Sequence, residues 1–383
     1  MTQQVDVAIV GGGIVGLAHA WMASARGLRV VVLERHSAAR GASVRNFGMV
    51  WPIGQPPGMW RDVALQSRQM WLQLAEQAGV WCQPCGSLHV AHRADELAVL
   101  EEFVQRGRQP GMELQLLTAA ETIRRTPAVK PQGLLGAMWS PSELGVNPPQ
   151  AIAALASWLG EQPNVDCHFN APIVAIDGRT LAASDGRRWT AQRVLVCSGH
   201  DFQTLLPETF AVQPLTICKL HMLKTVCQPG GWRIGSHLAS GLTLRHYAAF
   251  ADCPAQAALQ HRVQQETPEL NRYGIHVMAS QNERGEVILG DSHEYDADIS
   301  PFDRAEIDTL ILRELRRQFE FPEWTLASRW HGYYAKHRQL PILQLEPQPN
   351  VHVCVAPGGA GMTLSLGIAA RFWDSLVTLE QHR

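Results

Sequence analysis

The chain has 383 residues, 46% of them apolar and 18% charged, which excludes wholesale disorder and suggests two or three core-forming units at roughly 100–200 residues each. With 33 Lys and Arg against 35 Asp and Glu the net charge is −2, and there is no basic stripe, so no nucleic-acid partner is expected. There is no basic leader, and no apolar run nears the roughly 18 residues that span a bilayer, so the expectation is a cytoplasmic protein without a transmembrane segment.

Residues 5–10 (VDVAIV) read as a buried parallel strand. Gly11-Gly12-Gly13-Ile14-Val15-Gly16 follows at once. An Ala-rich helix over 17–26 stops at Gly27, and a second strand over 29–33 ends in Glu34 and Arg35. Strand, G-x-G-x-x-G, helix, strand and acid stand in the order and spacing of a dinucleotide-binding βαβ unit. Gly11 allows the tight turn, Gly13 lets a pyrophosphate approach the backbone, and Gly16 lets the helix pack closely on the sheet. The helix start, with Ile14, offers N–H groups and a positive dipole end to phosphates. Glu34 would accept hydrogen bonds from ribose hydroxyls.

Residues 40–49 form a second Gly/Ser-rich segment. An NAD-linked dehydrogenase has no use for another ring-contacting loop here, whereas FAD is long and its isoalloxazine needs its own cradle. FAD is therefore the expected cofactor. Cys82-Gln83-Pro84-Cys85 mimics a redox C-x-x-C, but a turn and a strand follow where that motif needs a helix. No second ligand pair with zinc spacing is present, so the pair reads as structural and no metal is expected.

Further along, helices are expected over 95–106 and 303–319, and strands over 172–176, 193–197, 216–226, 241–249 and 286–290. The strand over 193–197 ends in the small-residue turn Ser198-Gly199. A strand over 351–355, a Gly-rich turn over 356–361 and a helix over 362–376 close the chain. Strand, Gly-rich turn and helix at both ends of the chain is how one nucleotide domain closes on itself.

Over its whole length the chain resembles the D-amino-acid-oxidase-like flavoproteins, the superfamily of glycine oxidase, sarcosine oxidase and D-amino-acid dehydrogenase. The resemblance implies an α/β Rossmann-like FAD-binding domain with a second α+β domain built on a mostly antiparallel sheet. It implies that Gly41, Ala42 and Ser43 contact the pyrophosphate, and that Arg45, Asn46, Phe47, Gly48 and Met49 pass the flavin ring near N5. Val174 would meet the adenine through its backbone, with Ser198, Gly199 and Gly332 also against FAD. Gly359, Ala360, Gly361, Met362 and Thr363 would face the flavin C2 carbonyl from a helix start. The flavin domain is expected over 1–85, 147–210 and 331–383, and the substrate domain over 86–146 and 211–330.

Amino-acid-oxidising members commonly carry an Arg shortly after a Trp-x-Gly to clamp the α-carboxylate. Here Trp330-His331-Gly332 is followed by Tyr333-Tyr334-Ala335-Lys336-His337-Arg338, with Tyr334 at the Arg position. The wording of residues 45–54, 145–148, 289–295 and 358–363 resembles a narrower branch, the FAD-dependent oxidoreductases associated with phosphonate breakdown. That branch is implied to oxidise the C–N bond of 2-aminoethylphosphonate or its N-methyl derivative by hydride transfer to flavin N5. Oxygen or another electron acceptor would then reoxidise the flavin. The alternative is a small amino acid: glycine, sarcosine or a D-amino acid. A phosphonate dianion wants several cationic or hydroxyl donors. Candidates are Arg245, His246 and Tyr247 on one expected strand, with Tyr334, Lys336 and His337 on a loop, each weighed against a plain surface role. Trp51 would either wall the site or pack in the core. This chemistry requires no Ser-His-Asp set or carboxylate pair, and no catalytic residue is assigned.

Overall fold

The computed structural model describes residues 3–106 and 113–381, with side chains described as far as residue 376. The expected domain spans also include 1–2, 107–112 and 382–383, which lie outside the described residues. The chain opens with β1 (Gln3–Val10), α1 (Ile14–Ser24) and β2 (Val30–Leu33). β1 runs parallel to β2 on one side and to strand Arg188–Val196 on the other. Strands Val165–His168 and Val351–Val355 extend this parallel set outward. A hairpin, Ile173–Asp177 with Thr180–Ala183, and the strand Leu343–Gln348 add antiparallel edges to make eight strands.

β1 has core on both faces. Val7 and Ile9 pack with α1 and the C-terminal helix Gly361–Gln381, while Val5, Ala8 and Val10 pack into a second cluster beneath the hairpin. Burial on both faces is why its sequence is a continuous apolar run without alternation. The close approach of α1 depends on Gly16, where a Cβ would lie 1.9 Å from the Gly11 carbonyl oxygen.

The second layer is a nine-stranded, mostly antiparallel sheet, with one parallel pairing between His237–Ala239 and Ser87–Ala91. Its spine is Leu215–Cys227, paired along its length with Leu326–His337 and, on its other edge, with Glu286–Gly290 and Glu294–Asp296. Helices Ala94–Arg106 and Ala305–Gln318 cover it, sinking Val99, Leu100 and Phe103, and Ile307, Ile311 and Leu315, into one core. A third, three-stranded sheet is made of Met49–Val50, Leu144–Val146 and Cys82–Pro84.

The structure corrects two expectations. Residues 241–249 are not a strand but the 3-10 turns Gly241–Arg245 and Ala248–Phe250. The backbone there is satisfied locally: the Thr243 hydroxyl donates to the Ser240 carbonyl at 2.6 Å, and the Gln256 side chain donates to the Leu244 carbonyl. Tyr334, Lys336 and His337, expected on a loop, lie in strand Leu326–His337, with Tyr334 opposite Cys218 and Lys336 opposite Thr216. Residues 331–337 accordingly run in the nine-stranded sheet, although the expected flavin segment begins at 331. Among the described residues no helix is long and apolar enough to cross a membrane.

Candidate functional site

At the carboxyl end of β1 the chain turns sharply at Gly11, whose φ is +111°. A Cβ there would sit 2.3 Å from the Cys197 carbonyl oxygen, and one at Gly13 would sit 2.9 Å from Ser43 Oγ. The turn is open only because these positions are glycine. The Glu34 carboxylate is buried and accepts the Gly12 N–H at 2.8 Å and the His36 N–H at 3.0 Å. One bond to each oxygen leaves lone pairs for ribose hydroxyls. The Ile14 N–H donates to Ser43 Oγ at 3.0 Å, tying the second Gly/Ser segment to the start of α1. Ala42–Val44 is a single 3-10 turn. Arg35 pairs with Asp201, and the Ser198 hydroxyl donates to the Asp201 carbonyl at 3.0 Å. Those bonds hold the Ser198-Gly199 turn beside the end of β2, with Gly199 at φ +69°. Val174 is 47% exposed, on a strand whose register slips between Ile173 and Ala175.

The segment 45–49 is clamped between the two bodies. Arg45 donates to the His331 carbonyl at 3.3 Å and accepts from Trp330 Nε1 at 3.2 Å through its own carbonyl. Asn46 donates to the Ala42 carbonyl at 2.9 Å and accepts the Gly48 N–H at 2.8 Å. The Ser280 hydroxyl donates to the Phe47 carbonyl at 2.6 Å. Gly48, at φ +72°, leaves no room for a side chain, since a Cβ would meet the Val146 carbonyl oxygen at 2.0 Å. Met49 pairs with Gly145, and a Cβ on Gly332 would meet the Arg45 carbonyl oxygen at 3.4 Å.

The C-terminal turn closes on the same edge. Gly358–Ala360 is a 3-10 turn leading into helix Gly361–Gln381. The Trp51 N–H donates to Thr363 Oγ1 at 2.9 Å, and Trp71 Nε1 donates to the Met362 carbonyl at 2.8 Å. A Cβ on Gly361 would be 3.8 Å from Ile14 Cγ2, so two helix starts meet at one end of the sheet. Two converging helix starts, glycine-lined turns and a buried carboxylate fit a long dinucleotide carrying a pyrophosphate.

Beyond this turn lies a group of polar side chains. The position a Cβ would take on Gly359 is 3.8 Å from the Tyr334 hydroxyl, and that on Gly358 is 3.8 Å from Lys336 Cγ. The Tyr334 and Tyr295 hydroxyls are 3.3 Å apart, and Lys336 Nζ stands 5.1 Å from the Tyr295 ring centroid. Burial raises the Tyr334 phenol well above its ordinary range. Arg245 donates to Asn271 and, at 3.3 Å, to the Ile275 carbonyl. Burial draws its guanidinium down to about 10. The Tyr247 hydroxyl bonds Met278 Sδ at 3.4 Å, and its ring lies 6.1 Å from that of Trp51. Trp51 is 3% exposed and packs in the core, the second of its two expected roles. His337 turns away to accept the Gln339 and Leu340 N–H groups.

The sequence reading missed His276, His293 and Tyr295, which join His246 here. His276 and His293 stack with centroids 4.9 Å apart, and His293 stacks on Tyr295 at 6.0 Å. The three imidazoles come from separate segments, so no local spacing announces them. The 289–295 segment, singled out for its wording alone, holds two of the missed residues. Cys82 and Cys85 are pushed up to about 11 and about 12 by burial, so both stay protonated and unreactive.

A family model described as FAD dependent oxidoreductase (DAO) matches residues 6–372. The bifunctional protein MnmC of tRNA 5-methylaminomethyl-2-thiouridine biosynthesis from Aeromonas salmonicida is 29% identical over 260 residues, covering 61% of this chain and 37% of that protein. Glycine oxidase from Geobacillus kaustophilus is 31% identical over 164 residues, covering 41% of this chain and 44% of that protein. The matches thus span less than half the length of these two curated relatives. In fold, glycine oxidase from Bacillus cereus ATCC 14579 matches with a TM-score of 0.78 at 17% identity, over 98% of this chain and 95% of that one. With a family match running from β1 into the C-terminal helix, the chain belongs to the DAO family of FAD-dependent oxidoreductases, and its cofactor is FAD.

Proposed function

We propose that the protein oxidises the C–N bond of a small amine carrying a phosphonate, 2-aminoethylphosphonate or its N-methyl derivative. The observation that carries this reading is Lys336 Nζ over the Tyr295 ring, with the Tyr295 and Tyr334 hydroxyls in contact, beside the Gly358–Gly359 turn. A single flat carboxylate is best met by one guanidinium fork; a tetrahedral dianion is better met by several separate donors. Tyr334 stands at the position where the family resemblance implies the fork, and Lys336 and Arg245 supply charge from two elements. FAD, when bound, supplies the two-electron acceptor for the carbon bearing the amine. The chain's own contribution is positioning and exclusion of water, with Trp51 and Tyr247 packed beside the polar groups. Oxygen or another acceptor then takes the electrons.

The second reading is the same oxidation on a small amino acid, favoured by the glycine oxidase relative. In the phosphonate reading Lys336→Ala raises KM for the aminophosphonate by about tenfold or more, the range for losing one charge-assisted hydrogen bond, and leaves the flavin spectrum intact. Unchanged steady-state constants would remove Lys336 from the pocket.

A further inference from the structure

His246 ends one of the 3-10 turns, His276 precedes strand Met278–Gln281, and His293 follows strand Glu286–Gly290. One ring nitrogen from each lies within 4.8 Å of those of the other two, and the His246 ring centroid is 4.0 Å from that of His276 and 4.3 Å from that of His293. His276 is 3% exposed, and neither of its ring nitrogens has a hydrogen-bond partner among the described residues. His293 donates Nδ1–H to the Gly274 carbonyl at 3.2 Å, which fixes its ring and turns Nε2 inward. Asp291 is buried behind them, its carboxyl oxygens 3.4 Å from His276 Nε2 and 3.7 Å from His293 Nε2. His246 is solvent-accessible yet ringed by these groups, as a side chain on the wall of a concave site is. A buried polar atom left without a partner costs about 1–3 kcal/mol, so a cluster of them is a place kept for a ligand.

The charges around the cluster decide the sign of that ligand. Beyond burial, Lys336 disfavours a further positive charge on His246 and His293, and Arg245 does so on His246 and His276. Burial also raises the Asp291 carboxyl well above its ordinary range, which favours the neutral acid, a donor. A metal cation would enter against both fixed cations. It would also need the nitrogens drawn to within about 3.4 Å of one another for Zn–N bonds of about 2.0–2.1 Å. An oxyanion takes a separate donor on each oxygen and suits the wider spacing.

We propose that His246, His276 and His293, together with Lys336, form an oxyanion site for a tetrahedral dianion of the phosphonate or phosphate class, the anionic end of the substrate. This rests on the proposed function for its place in turnover, but binding of the head group stands by itself. His276 presents a free N–H in either tautomer, and a dianion favours protonation of His293 Nε2, which adds a donor.

The test is calorimetric titration of the FAD-loaded protein with methylphosphonate, inorganic phosphate, acetate and Zn²⁺, on the wild type and on His276→Gln and His246→Gln. The expected result is saturable binding of methylphosphonate and phosphate, with acetate at least tenfold weaker. Both replacements weaken methylphosphonate at least tenfold while the flavin absorbance is kept. If His276→Gln fails to retain flavin, the accessible His246→Gln carries the same comparison. Equal affinity for acetate, methylphosphonate affinity indifferent to His246→Gln, or stoichiometric Zn²⁺ uptake lost in the same variants would each overturn the proposal. A holoprotein that binds methylphosphonate through these residues but is not reduced by aminophosphonates keeps the site and discards the amine reading. One that aminophosphonates reduce, with methylphosphonate affinity unmoved by either replacement, does the reverse.

Discussion

Gly11 shows how much of the cofactor turn rests on the absence of one atom. An alanine there would have to hold φ near +111° and place its Cβ 2.3 Å from the Cys197 carbonyl oxygen, an atom fixed in the sheet. The turn must shift, and the pyrophosphate approach shifts with it. Gly11→Ala is therefore predicted to purify with little or no flavin. The ratio of flavin to protein absorbance measures this, and full flavin occupancy would contradict it. The glycines are legible in sequence because each requirement is local: turn, helix start and strand lie within a dozen residues. The pocket residues follow a different rule. His246, His276 and His293 meet only because a turn and two strand ends of the nine-stranded sheet converge, which no short window of sequence contains.

At the scale of elements, the segment 45–49 is held from both sides, by Trp330 and His331 at Arg45 and by Ser280 at Phe47. Ser280 sits on strand Met278–Gln281, three residues beyond Val277 and close in sequence to His276, and bonds the Phe47 carbonyl at 2.6 Å. Ser280→Ala removes a bond of about 1 kcal/mol and loosens the two bodies' registration. A fall of about fivefold in kcat/KM with unchanged flavin content is the expected outcome; steady-state kinetics with unchanged values would show that the tether does not matter. The βαβ unit, the helices over 95–106 and 303–319 and the strand over 286–290 are legible because apolar periodicity and packing agree there. The turn over 241–249 is not. Its Leu242, Leu244 alternation matches a half-buried strand, but Thr243 and Gln256 satisfy the backbone locally, and Leu242 and Leu244 both end in the core. Tyr334, Lys336 and His337 differ the other way: clustered Lys336, His337 and Arg338 look like a solvated turn, but the strand pairs with Leu215–Cys227.

Taken whole, the molecule buries several imidazoles in their neutral form. Burial holds His19 and His89 at about 3 and His237 at about 4. Their folded values lie below the ordinary imidazole value of about 6.5, so the unfolded chain binds protons that the fold refuses. Stability from these groups is fully present above about pH 6.5 and is lost as the pH falls below it, by about 1.4 kcal/mol per histidine for each pH unit. His89, packed between Trp51 and Phe250 with neither ring nitrogen partnered, is the cleanest case. His89→Leu should flatten the decline of the thermal midpoint between about pH 6.5 and 5 relative to the wild type. Parallel declines would show that His89 is not a source of acid lability.

The central claim joins the two bodies: a flavin held by the Rossmann-like sheet acts on an amine whose anionic end is held by the antiparallel one. It is tested most directly by anaerobic titration of the purified protein with 2-aminoethylphosphonate, N-methyl-2-aminoethylphosphonate, glycine, sarcosine and D-alanine, following the absorbance of oxidised flavin. The account predicts bleaching by the two aminophosphonates and none by the three amino acids. Bleaching by an amino acid with the phosphonates inert would contradict it.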